Sequence, residues 1–378
     1  MIGQERAGVA ARGARTASRA ARCAGWAAVI AVAGLAWQGV AVAQTSRDNV
    51  TLYGVMDLGL FAATPGPSSM TAVQVMSGQA LSRWGIRGRE DLGGGLSAFF
   101  TAEAQVYADE GIGQAPGGGM TFQRRSFVGL DGGFGSVKLG RDYTPGFFSV
   151  LVTDLFAWSN VGNASAFAVA GGTTARTSNA IFYDSPTWGG FRVMTMYGSG
   201  ERYESPRDAG SIYHLAGFWS GGGLQVTGFY GRYRTQIGTT ADSRGTAEYG
   251  GGLRYDAGGW KLVGGFAQTD PGGDGNNVRW WNVGAEVNVG VGSLSLQYAK
   301  MRVESGAAYA QGVAGKSGTI GAMYSYPMSK RTNLYVVGGV VNNNQGGRFG
   351  LAITSTMLNA SARGENPRTI GIGIRHFY

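Results

Sequence analysis

Charged residues are scarce in this chain, at 15 % of 378 positions, against about 25 % in ordinary soluble domains. Proline is rare as well, with 9 residues, whereas glycine reaches 68 and aromatic residues make up 11 %. A disordered chain would be poor in those aromatics. The composition therefore favours short strands joined by glycine-rich turns.

Long apolar runs are also missing once the first 43 residues are set aside. No later stretch approaches the roughly 18 consecutive apolar residues that a membrane-spanning helix needs. Only helices and closed barrels satisfy every backbone polar group in lipid. If the rest of the chain spans a membrane, it must therefore do so with strands.

Residues 1–43 are predicted to be a cleaved signal peptide, which leaves residues 44–378 as the mature domain. An apolar run over residues 24–42 precedes the small-residue motif Ala41-Val42-Ala43, and Gln44 would be the mature start. A basic region comes first, formed by Arg6, Arg12, Arg15, Arg19 and Arg22. A retained membrane anchor is the alternative, because the apolar run approaches spanning length.

Cleavage would remove Cys23, the only cysteine. The mature chain could then form neither a disulfide nor a thiolate metal site. Losing five arginines and one glutamate leaves 27 basic and 22 acidic residues, a net charge of +5 instead of +9. The remaining arginines are scattered singly among aromatics and glycines, so we expect no nucleic-acid partner.

Alternation with a period of two recurs along the mature chain. Leu52, Met56, Leu58 and Leu60 share one face of a predicted strand, and Asp57 lies on the other. The same pattern appears in residues 294–298 and 369–378, and no helical period of comparable length is present.

Short turns alternate strictly with long polar loops. Seven Gly-, Asp- or Pro-containing turns lie at residues 90–95, 131–135, 184–190, 220–223, 256–259, 290–292 and 327–330. Eight loops lie near residues 62–79, 107–121, 143–178, 199–210, 235–246, 268–277, 304–316 and 343–366. These connections predict an all-β fold, a sixteen-stranded antiparallel transmembrane β-barrel with both ends on the short-turn side. A soluble β-sandwich would alternate too, but would not order its connections in this way.

The sequence resembles the trimeric general porins of Gram-negative bacteria, especially the β-proteobacterial branch. The matching segments are residues 50–54 (VTLYG), 82–88 (SRWGIRG), 90–96 (EDLGGGL), 124–130 (RRSFVGL), 132–135 (GGFG), 139–141 (LGR), 183–186 (YDSP), 189–191 (GGF) and 373–378 (GIRHFY). The resemblance implies a homotrimer in outer-membrane lipid and lipopolysaccharide that passes small hydrophilic solutes and ions. It also implies that the third loop, residues 143–178, folds inward to narrow the pore.

The resemblance further implies a pore constriction with a basic wall and an acidic side. Arginines that match the basic wall are Arg83, Arg124 and Arg176, and Arg87 and Arg141 are further candidates. Alternation supports Arg83, whereas only one of Arg124 and Arg125 is expected to face the lumen. Asp154, the only carboxylate between Asp142 and Asp184, and Glu103 would form the acidic side. Because basic residues outnumber acidic ones, we expect the pore to favour anions. Each arginine could instead lie at a barrel rim or a subunit interface.

The chain ends on Phe377 and Tyr378, which resemble the signal read by the barrel-assembly machinery. Five aromatics near short turns are predicted to form an aromatic girdle: Phe218, Trp219, Trp260, Tyr324 and Tyr326. Packing within loops is the alternative for each of them.

Other functions find little support in the residues. The only histidines are His214 and His376, with no nucleophile signature nearby and no ligand-spaced partner, so we expect no catalysis, no metal site and no cofactor. A channel selective for one class of anion, sugar or amino acid is the closer alternative. A receptor or adhesin role of the long loops is open as well.

Overall fold

The computed structural model describes residues 49–66, 70–157, 159–170, 172–200, 210–236, 243–272, 277–304, 315–344, 346–351, 360 and 362–378. The predicted signal peptide, residues 1–43, lies outside the described residues. No helix in the described ranges is both long and apolar enough to cross a membrane.

Within those ranges, sixteen long antiparallel strands form one sheet that closes on itself. They are β1 (Asn49–Thr64), β2 (Arg83–Gly93), β3 (Leu96–Tyr107), β4 (Arg125–Gly132), β5 (Gly135–Tyr143), β6 (Arg176–Asp184), β7 (Phe191–Gly198), β8 (Ile212–Gly221), β9 (Leu224–Gln236), β10 (Ser243–Asp256), β11 (Trp260–Asp270), β12 (Val278–Val289), β13 (Gly292–Val303), β14 (Gly315–Pro327), β15 (Thr332–Asn343) and β16 (Arg368–Phe377). The predicted barrel of sixteen strands is confirmed, with short turns and long loops in the predicted order.

Closure joins the first strand to the last. Leu60 of β1 lies opposite Ile372 of β16, and Val55 lies opposite Phe377. Apolar side chains alternate onto the outer face, where Leu60 is 57 % and Ile372 is 58 % exposed. In a membrane protein this outer band is the surface that lipid covers.

Two short strand segments each pair with part of one barrel strand and are not counted among the sixteen. Ile112–Gly113 pairs with the end of β3. Ala72–Met76 pairs with one half of β1, and β2 pairs with the other half. The second barrel position is therefore shared by two segments, and residues 77–82 between them leave the sheet.

The third long loop enters the barrel, as the resemblance implied. It contains helices α1 (Pro145–Val152) and α2 (Ala164–Ala170), and a single turn of 3₁₀ helix, Pro116–Gly118, lies in the loop before it. Thr144 caps α1, because its hydroxyl oxygen accepts a hydrogen bond of 3.1 Å from the backbone N–H of Phe147, and Pro145 occupies the first turn, where no donor is lost.

The hydrophobic core lies between this loop and the inner wall. Phe156, Val161 and Phe167 of the loop are at most 3 % exposed and belong to one cluster with inward-facing residues such as Phe61 and Tyr335. Burial of such side chains contributes about 1.5–3 kcal/mol each. The loop is therefore a packed layer of the barrel interior.

Candidate functional site

Glu103 of β3 is the centre of a group of polar side chains on the inner wall. Its Oε1 accepts a hydrogen bond of 2.7 Å from Nε of Arg124, and its Oε2 accepts one of 3.0 Å from the hydroxyl of Tyr53. The Nε of Arg83 lies 3.9 Å from Oε2. Two strands and the residue before β4 thus direct polar groups at a carboxylate that is 5 % exposed.

The hydroxyl of Tyr143 joins one further arginine, Arg176, to this group. It accepts hydrogen bonds of 2.8 Å from Arg124 and 2.5 Å from Arg176. The guanidinium of Arg176 also lies over the Tyr143 ring, 4.3 Å from its centroid. A cation at this position is attracted by the ring face, so Arg176 is held close to Arg124 from the opposite side of β5.

Arg125 also joins the inner wall, which corrects the expectation that only one of Arg124 and Arg125 could face the lumen. Arg125 donates two hydrogen bonds, of 2.8 and 3.1 Å, to the carboxylate of Asp142, which also receives one from Lys138. Arg124 precedes β4, so the alternation of that strand does not direct its side chain outward. Both arginines therefore reach inward-facing carboxylates.

The two remaining candidate arginines occupy different places. Arg87 shares the inner face of β2 with Arg83, and its guanidinium lies 5.1 Å from the centroid of the Tyr53 ring. Arg141 donates to the carbonyl of Gln123 at 2.6 Å and to the hydroxyl of Ser178 at 2.8 Å. Arg141 thus connects the segment before β4 to β6, at the edge of the group.

Positive charge dominates this wall. We define the basic cluster as the cations Arg83, Arg87, Arg124, Arg125, Lys138 and Arg176 with the carboxylates Glu103 and Asp142. With all eight groups ionised, the cluster has a net charge of +4. Its members come from β2 to β6 and the residue before β4, on one side of the barrel.

Asp154 does not occupy the place expected of an acidic side. Its side chain is 3 % exposed, between the loop and the wall. Oδ1 accepts hydrogen bonds of 2.7 Å from Nε2 of Gln297 and 2.9 Å from the N–H of Phe156, and Oδ2 accepts one of 2.7 Å from the N–H of Ser165. Burial raises the pKa of the Asp154 carboxyl, because removal from water disfavours the ionised form. The residue fastens the loop to β13 and presents no carboxylate to the lumen.

The opposite surface of the loop carries no charge. Asp154 is the only ionisable acidic or basic residue in residues 144–175. Val169 is 45 % exposed, and Leu151, Val152 and Leu155 are half-buried. The lumen therefore lies between the basic cluster and an apolar loop surface.

A buried pair of polar side chains lies beneath α1 and was not predicted from the sequence. His214 of β8 and Glu248 of β10 are both 0 % exposed, and Nε2 of the histidine lies 2.8 Å from a carboxylate oxygen of the glutamate. The N–H of Gly146 donates to Nδ1 of His214 at 3.3 Å. Alternation alone would have placed Glu248 on the inner face, opposite to Tyr249, but not beside His214. In the described part of the chain, no group of three or more metal-ligating residues is present.

One of the five predicted girdle aromatics lies inside the barrel. Trp219, Trp260 and Tyr326 are 40 %, 42 % and 45 % exposed on the outer face. Tyr324 alternates onto the same face and donates to the carbonyl of Val289 at 3.2 Å. Phe218 points inward, because it lies opposite the inward-facing Arg192, whose guanidinium is 5.2 Å from its ring centroid. Both Phe218 and Trp219 lie near the same turn, so proximity to a turn could not show that their side chains point to opposite faces of β8.

The last residue completes the barrel seam. The N–H and carbonyl groups of Tyr378 exchange hydrogen bonds of 3.2 and 3.3 Å with the backbone of Gly54. A Cβ at position 54 would lie 2.4 Å from the Tyr378 hydroxyl oxygen, so the terminal ring covers a place that only glycine leaves open. Phe377 precedes it, opposite Val55 on the inner face.

Comparisons with known proteins agree with this architecture. A family model described as Gram-negative porin matches residues 26–346. The chain is 32 % identical over 365 residues to outer membrane porin protein 32 of Delftia acidovorans, covering 93 % of this chain and 99 % of that protein. The structure is similar to that of an anion-selective porin from Comamonas acidovorans, with a TM-score of 0.77 and 29 % identity, over 88 % of this chain and 100 % of the other. A trimer form of OmpT from Vibrio cholerae, at 16 % identity and a TM-score of 0.63 over 88 % and 99 % of the two chains, shares the fold.

Proposed function

Since the chain belongs to the Gram-negative porin family and is an outer-membrane porin, we propose that it forms a general diffusion channel for small hydrophilic solutes that favours anions. One observation carries the proposal. A wall with a net charge of +4 faces a loop surface without charge. Arg83, Arg124 and Arg176 belong to that wall, together with Arg87 and Arg125, and Arg141 flanks it.

The preference for anions follows from the electrostatic field of the charged wall in a narrow pore. Charges along a low-dielectric wall act on a passing ion more strongly than the same charges in bulk water. A constriction with opposed acidic and basic walls would orient dipolar solutes and leave only a small net potential. Here Glu103 is hydrogen-bonded to Arg124 and Asp154 lies behind the loop. Because the loop presents no carboxylate opposite this wall, the arginines of the wall lower the electrostatic energy of an anion in the pore and raise that of a cation.

The experiment is a reversal-potential measurement on single channels in planar bilayers with a KCl gradient. We expect the permeability ratio of chloride to potassium to exceed 1, and to rise as the salt concentration falls, because the Debye length grows to about 10 Å at 0.1 M. A clear preference for potassium would contradict the proposed selectivity. Conductance that rises linearly with salt and is not saturated by one solute would support general diffusion over a substrate-selective channel.

We also propose that the protein is a homotrimer. The outer face of the strands from β7 to β14 carries exposed aromatics, namely Tyr197, Tyr213, Trp219, Tyr230, Tyr249, Tyr255, Trp260, Phe266, Trp281 and Tyr326. The outer face of β1 to β5 is mostly aliphatic, with Val50, Leu52, Val128 and Leu139 at least 55 % exposed. Aromatic girdles mark the surface at the lipid headgroups, so the aliphatic side is the one suited to other copies of the chain. An unheated band at three times the monomer mass on a mild detergent gel would support the trimer, and a monomer band would contradict it.

A further proposal concerns assembly of the barrel. Tyr378 and Phe377 are proposed as the residues read by the barrel-assembly machinery, supported by their place at the seam between β16 and β1. No catalytic role is proposed, because the pair His214 and Glu248 is shielded from solutes by α1.

A further inference from the structure

A recess lies on the short-turn side of the inward loop, next to β6, the last strand that contributes to the basic cluster. Its lining includes Phe148 and Val152 of α1, Arg192 of β7, Phe218 of β8 and Gln225 of β9. The proposed selectivity uses none of these residues. Since short turns are periplasmic in bacterial barrels, the recess opens to the periplasmic half of the lumen.

Arg192 supplies a cation whose donors are only weakly engaged. Its Nε lies 3.5 Å from Oδ1 of Asp184, and its Nη2 lies 3.5 Å from the sulfur of Met194. The side chain is 39 % exposed. By contrast, Arg124 makes three hydrogen bonds of 3.1 Å or less and is 1 % exposed. Arg192 can therefore receive an anion without first giving up a strong partner.

The surroundings of this guanidinium are apolar on two sides. The ring centroid of Phe218 lies 5.2 Å from the guanidinium carbon of Arg192. Phe148 and Val152, both half-buried, project from α1 into the same recess. Aromatic rings favour a second ring stacked against them or meeting them edge to face. The recess thus combines one carboxylate-binding group with walls that suit an apolar body.

A second cation lies beside the recess. Arg254 of β10 is directly cross-strand from Gln225, on the inner face, and has no ion pair among the described residues. Among the described residues, Asp184 is the carboxylate within ion-pair distance of Arg192. Arg192 and Arg254 thus place two cations near the opening, and Asp184 and Asp256 are the carboxylates on the same inner face.

We propose that this recess is a second solute site, for monocarboxylates that carry an aromatic ring. Arg192 binds the carboxylate, and Phe218, Phe148 and Val152 contact the ring. The site would hold such a solute on the periplasmic side of the constriction. The inference rests on the proposed function in one respect, that solutes enter the lumen.

The test measures binding directly, by isothermal titration of phenylacetate and of acetate into the purified protein in detergent. We expect phenylacetate to bind at least about tenfold more tightly than acetate, because only the former has a ring to bury. Arg192→Gln and Phe218→Leu should each weaken phenylacetate binding about fivefold or more. Arg89→Gln is the matched control, since Arg89 is another exposed lumen arginine, 2.8 Å from Asp131, that does not line the recess.

The outcomes separate this site from the constriction. The proposal is overturned if acetate binds as tightly as phenylacetate, or if Arg192→Gln and Phe218→Leu leave phenylacetate binding unchanged. It is also overturned if the affinity is lost in Arg83→Gln instead, because the carboxylate would then bind at the basic cluster. A preference for potassium in the reversal-potential experiment would contradict the proposed function while leaving these titrations interpretable.

Discussion

The side chain of Gln297 bonds to two consecutive residues of the inward loop. Its Nε2 donates to Oδ1 of Asp154 at 2.7 Å, and its Oε1 accepts from the N–H of Leu155 at 2.9 Å. Gln297 is 1 % exposed, so water cannot replace either partner. The loop is thus fixed to β13 at the point where it passes from α1 toward α2.

Gln297→Leu should loosen this attachment. The substitution removes one of the three hydrogen bonds of the Asp154 carboxylate and leaves the Leu155 N–H without its partner, at a cost of about 1–3 kcal/mol for that N–H group. We expect greater current noise in the open single channel and faster proteolysis within residues 144–175. Gln268→Leu is the control, because Gln268 lies on the outer face of β11, away from the loop. Equal noise in the two variants would show that Gln297 does not restrain the loop.

The contacts of Arg124 and Arg83 with Glu103 should contribute very different amounts to the stability of the barrel. Arg124→Met removes the 2.7 Å partner of Glu103 and leaves a buried carboxylate, which costs about 3 kcal/mol or more. Arg83, at 3.9 Å and 20 % side-chain exposure, contributes less than about 1 kcal/mol. Thermal unfolding, followed by the heat-dependent shift on detergent gels, should show a lowered midpoint for Arg124→Met alone. Adding Glu103→Gln should restore part of the loss.

Selectivity should respond to charge on the lumen surface and not to charge behind the loop. Arg83→Gln should bring the chloride-to-potassium ratio toward 1. Val169→Glu should do so too, because it places a carboxylate on the exposed face of the loop. Asp154→Asn should leave the ratio close to the wild-type value, since the position is buried. Reversal potentials check all three, and a large rise in anion preference in Asp154→Asn would show that its charge reaches the pore.

Gly54→Ala should impair barrel closure. The new methyl group would lie 2.4 Å from the Tyr378 hydroxyl and 2.6 Å from the carbonyl oxygen of Arg83, which is backbone and cannot rotate away. We expect a loss of about 1–3 kcal/mol, as for other overpacked sites, and a smaller folded fraction after refolding into detergent. Gly228→Ala is matched to it, on the outer face with its nearest neighbour at 3.9 Å. The interpretation fails if both variants refold alike.

The barrel could be predicted because its signals repeat. Alternation at Leu52 to Leu60 sets which face meets lipid, and glycine-containing turns set the strand count. The same alternation placed Arg83 and Arg87 on the inner wall. Alternation and turn positions depend only on residues that are neighbours along the chain, so both can be predicted from a single sequence.

The contacts of the site depend on partners far apart in sequence. Asp154 pairs with Gln297, which lies 143 positions away, and His214 of β8 pairs with Glu248 of β10, with β9 between them. Which residues meet is fixed by strand register and by the path of the loop, and neither has a periodic signal. The loop has no alternation of polar and apolar residues that would indicate whether the Asp154 side chain faces the lumen or the wall. Arg124 was ambiguous for the same reason, because it lies just outside β4.

The attachments of the inward loop reach far around the wall. Backbone or side-chain groups of residues 146–160 bond to His214 of β8, Thr227 of β9, Asn282 of β12, Gln297 of β13 and Gly78 before β2. The loop therefore acts as an internal brace: flattening the barrel into an ellipse would stretch several of these bonds at once. Such a brace keeps the aperture at a constant size, so the upper size limit for solutes is set by the rigidity of the whole ring and not by the loop alone.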